Sequence, residues 1–222
     1  MSFRLRQIRP LLPAVLRSMR WLPICGSWAG AAAMAALLTR HGRADDPAGA
    51  LGLPAIVLVL GCAFVLDDPA VATIGSTPTP LIVRRSYCVM LACAGVAVVW
   101  AGLVSFVGWR TGGSVPVQDL SLELGTMLAL ILAIAAVAPR FVPDGRGGTP
   151  AGPTLLALVA LSFLVKPRWK FLNARIEGFT TSAAHQRILT TMSIALLILL
   201  LASRDPGRRT MNRTKALLRQ RA

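Results

Sequence analysis

A chain of 222 residues that is 55% hydrophobic and only 15% charged, with a mean hydropathy of +0.62, has the composition of a protein dissolved in lipid rather than in water. The formal charge of +15 raises nucleic acid as a partner, but most basic residues stand at the edges of apolar runs and a single Tyr provides no basic-aromatic interleaving. Nucleic-acid binding is therefore set aside. Six spans of roughly 20 residues would use about 120 residues, which leaves short connections and no separate soluble domain.

Residues 1–20 carry Arg4, Arg6, Arg9, Arg17 and Arg20 among apolar residues, interrupted by Pro10 and Pro13. This reads as a basic interfacial segment followed by an uncleaved anchor, because no small-residue cleavage signature follows the first apolar run. The transmembrane region is expected over 21–203. Its first span, Trp21 to Leu38, is rich in Ala and Gly, a composition that lets helices approach closely in lipid. A polar turn over Thr39 to Gly49 leads to a second span, Ala50 to Leu66. The third span is expected over Ser86 to Val107, ending beside an interfacial Trp109 and Arg110.

Gly112, Gly113 and Pro116 mark the next loop, and the fourth span runs from about Leu120 to Ala138, closed by Pro139 and Arg140. A glycine-rich connection over Phe141 to Gly152 precedes the shortest apolar run, Pro153 to Val165. That run is too short to cross roughly 30 Å of hydrocarbon, so its helix must begin earlier or use Lys166, Arg168 and Lys170 as snorkelling ends. Asn173 to Gln186 reads as a polar outer loop, Ile188 to Ala202 as the sixth span, and 204–222 as a basic cytoplasmic tail that attaches to lipid headgroups.

The fold class expected is thus all-α, a polytopic bundle of about six spans with both ends in the cytoplasm. The distribution of basic residues sets the orientation. On one side lie five in 1–20, Arg84 and Arg85, Arg140 and Arg146, and seven in the tail; the other side holds eight. The cytoplasmic membrane is the expected location, with a multi-pass chain. Cys25, Cys62, Cys88 and Cys93 all fall in spans without a CxxC pair, and read as buried thiols. His41 and His185 fall in separate loops, so no metal site and no cofactor is expected.

The segment between spans two and three runs Leu66-Asp67-Asp68-Pro69-Ala70-Val71-Ala72-Thr73-Ile74-Gly75, then Thr79-Pro80 and on to Arg84-Arg85. Asp68 before Pro69 is a helix-start signal and Gly75 a stop. A helix of one or two turns lying across the inner face would present a handle to a cytoplasmic partner. Equally, Asp67 and Asp68 can simply end one helix and cap the next. Glu123 is the one carboxylate well inside an apolar run. It is a candidate intramembrane polar site, contacting substrate or an arginine such as Arg110, against the plainer reading of snorkelling or stabilisation by the helix N-terminus.

The LDDPA run with its TPxPxxxRR continuation, and the SRDPGRR stretch after the sixth span, resemble features of actinobacterial ABC transporter permeases, the membrane subunits of ABC exporters. The resemblance covers these two stretches and the six-span layout. It implies that Asp67, Asp68 and Pro69 through Ile74, Val71 included, form a coupling element for a separate cytoplasmic ATP-binding subunit, with Arg84 and Arg85 anchoring it at the membrane. It also implies a second permease half, either another copy or a related chain. The sequence contains no GxxxxGK[ST] loop, so it supplies no ATP chemistry of its own and no catalytic residue is assigned. Two other classes compete: a noncatalytic assembly or scaffold subunit of a larger membrane complex, and a lipid-headgroup transferase, for which one Asp67-Asp68 pair is meagre support.

Overall fold

In hydrocarbon every backbone N–H and C=O must be satisfied within the protein, which leaves the helix as the natural state of long apolar segments. The computed structural model describes residues 21–40, 47–66, 81–112, 115–141, 148–164 and 182–203, and all its regular elements are helices. They are α1 (Trp21–Arg40), α2 (Pro47–Leu60), α3 (Leu81–Thr111), α4 (Val117–Val137), α5 (Gly148–Leu164) and α6 (Ser182–Ser203). Single 3₁₀ turns, Gly61–Phe64 and Ala138–Arg140, extend α2 and α4.

Five of these segments are long and apolar enough to cross a membrane: Trp21–Arg40, Pro47–Phe64, Arg85–Thr111, Val117–Val137 and His185–Ala202. The protein therefore has the build of a multi-pass membrane protein. Its outward faces agree. On α6 the buried residues Ile188, Ala195, Leu199 and Ala202 form one stripe, while Ile194, Leu197 and Leu200 are more than half exposed. A helix apolar on both faces belongs in lipid.

Several boundaries differ from the sequence-based expectation. The third helix begins at Leu81, so Leu81 to Arg85 belong to α3 rather than to the preceding loop. It ends where Gly112 takes a left-handed φ of 63° and donates its N–H to the Gly108 carbonyl at 3.0 Å, a turn that glycine adopts without steric cost. The short fifth helix starts at Gly148, earlier than Pro153, yet its 17 residues cover only about 25 Å. Its apolar stretch, Gly148–Leu161, stays below span length. The sixth helix starts at Ser182, which turns the last part of the expected Asn173–Gln186 loop into its first turns.

Close contacts give each helix its direction. A side chain at Gly61 would run into Ser27 Oγ and the Pro23 carbonyl, and a methyl at Gly30 would sit 3.4 Å from Val57; α1 and α2 are thus antiparallel. Trp100 donates its indole N–H to Ser121 Oγ at 3.0 Å, and a methyl at Gly108 would be 3.6 Å from Val115, so α3 and α4 are antiparallel too. His185 meets Asp119 and Met192 approaches Gly125, which makes α4 and α6 parallel. Two helices separated by only one other can run parallel only if the intervening chain returns.

These contacts sort the helix ends. At one end, here called proximal, lie the start of α1 and the end of α2, joined at Pro23 and Gly61, the start of α5, where Gly152 approaches Leu60, and the start of α3 with the end of α6, joined at Arg85 and Ala202. The distal end holds the α3–α4 turn and the start of α6. The core is contiguous through all six helices, and α4 is its most enclosed member, with Leu124, Ile131, Leu132, Ala135 and Ala136 buried.

Candidate functional site

Of the residues singled out from sequence, Asp67, Asp68, Pro69, Val71 and Ile74 lie outside the described residues. Arg84 sits in the first turn of α3; its side chain also lies outside them. Arg85 is half-buried, and its Nη1 donates to the main-chain carbonyl of Ala202 at 3.4 Å. Ala202 stands in the last turn of α6, where carbonyls have no partner inside the helix and the helix dipole favours a cation. The guanidinium is therefore well matched to its acceptor. As a consequence, the start of α3 and the end of α6 are joined at the proximal end.

The distal half of the bundle holds a second polar group of residues. Asp119 lies in the first turn of α4, where the exposed N–H groups stabilise a carboxylate. Glu123 follows one turn deeper on the same side of the helix, half-buried. Across the interface, His185 Nε2 lies 2.7 Å from Asp119 Oδ1, with the two side chains 37% and 20% exposed. That histidine is in helix α6, not in a loop. Arg187, also half-buried, is two residues further on.

Sequence reasoning missed this pair because polar residues in the first turn of a helix resemble loop residues in a hydropathy profile. One signal was present: Asp119 and Glu123 stand four apart, the spacing that puts two carboxylates on one helical face. Arg110, considered as a partner for Glu123, has its guanidinium 6.0 Å from the centroid of its neighbour Trp109, within cation–π range. Trp109 itself is 77% exposed, as suits an interfacial aromatic.

Hydroxyl groups inside the spans mostly serve their own helices. Thr126, fully buried, donates to the Leu122 carbonyl at 2.8 Å, and Thr39 donates to Ala35 at 2.9 Å. Such back-bonding lets a polar residue sit in lipid without a partner on another helix. None of the four cysteines is in a disulfide; Cys62 and Cys88 are buried and Cys93 half-buried, whereas Cys25, expected to be a buried thiol, is exposed on α1. Among the described residues no three His, Cys, Asp or Glu side chains converge as a metal site.

A third feature is apolar. Helices α5 and α6 both pack on α4 but scarcely touch one another. Between them lies a cavity of about 610 Å³ floored by Leu130, Ala133, Ile134 and Val137 and walled by Thr154, Leu158, Ile194 and Ile198. Comparison with protein families, with curated proteins and with solved structures returns no match.

Proposed function

We propose that this chain is the membrane-spanning permease subunit of an ABC transporter in the cytoplasmic membrane, driven by a separate ATPase that docks on the connection between α2 and α3. The observation that carries this reading is the Arg85–Ala202 contact. It joins the start of α3, which follows the Asp67–Ile74 stretch in the sequence, to the end of α6, which precedes the basic tail. A force applied to the α2–α3 connection would reach α6 directly. The charge bias supports the orientation. The connections and flanks that belong to the proximal end hold 16 of the 24 Lys and Arg residues, as the cytoplasmic side of a membrane protein requires.

In this reading Asp67, Asp68, Pro69, Val71 and Ile74 form the coupling surface, and Arg84 and Arg85 hold it at the headgroup level. The second permease half is a further copy or a related chain, and membrane lipids surround the pair.

The test is affinity purification of the full-length chain from its native membranes. An ATP-binding subunit is expected to copurify, and its recovery should fall several-fold when Asp67→Ala and Asp68→Ala are combined while membrane insertion is unchanged. Absence of any ATPase from the purified complex overturns the reading. So does labelling of residues 67–80 by a membrane-impermeant reagent in whole cells, because the docking segment would then face outward.

A further inference from the structure

We draw no further inference here: the strongest candidate, the apolar groove that opens between α5 and α6 along α4, carries none because nothing in the structure shows what covers it.

Discussion

The α1–α2 hairpin and the α4–α6 pair solve the same problem by different means. Lipid tails are as apolar as the helices, so no hydrophobic force drives helix against helix, and close packing or polar contacts must do it. The hairpin relies on closeness: Gly61 receives Ser27 and the Pro23 carbonyl, and Ala31 and Ala35 are fully buried in the seam. At α4–α6, small residues such as Ala133, Ala136 and Ala195 are joined by a polar clasp, Asp119 with His185. A seam made by shape tolerates no added atoms. A clasp made by one hydrogen bond tolerates its loss at modest expense.

The sharpest way to break this contrast is to fill the hairpin. Gly61→Leu is expected to cost about 3 kcal/mol, the upper part of the overpacking range, because the obstructing atoms include backbone and cannot swing aside. Thermal unfolding of the purified chain in detergent should show the largest fall in midpoint for this variant, and a midpoint within error of the parent would show that the seam yields. Asp119→Ala and His185→Ala should each cost about 1.5 kcal/mol, near the maximum for a hydrogen bond between membrane helices. A double-mutant cycle on the two should recover most of that value as coupling, and additive losses would mean that the pair does not act as a clasp. Smallest is Trp100→Phe, which removes the bond to Ser121 but keeps most of the ring. About 0.6 kcal/mol is expected, the average for such bonds, and a larger loss would reveal that the α3–α4 seam also depends on its polar contact.

The apolar helices are legible from the residue pattern to within a few positions; the short fifth helix does begin upstream of Pro153, but its apolar stretch, Gly148–Leu161, still falls short of a span. The polar clasp is not legible. Asp119 and His185 each occupy the opening turns of a helix, and hydropathy alone assigns such residues to loops. Glu123 stands out in the sequence because it lies among leucines; Asp119 and His185 do not, although their contact links α4 to α6. Arg85 was recognised as a headgroup-level residue, but its acceptor, the Ala202 carbonyl, lies 117 positions away and has no signature in the chain.

Composition and hydropathy were sufficient to make this an all-helical chain for a membrane, since lipid leaves the backbone no better option than to bond with itself. They said nothing about which helices run parallel, which ends share a side, or where α5 and α6 part to open a groove. A leucine is equally at home facing lipid or facing another helix. The choice between the two falls to small residues, side-chain shape and single polar contacts, and these act only once the helices are assembled.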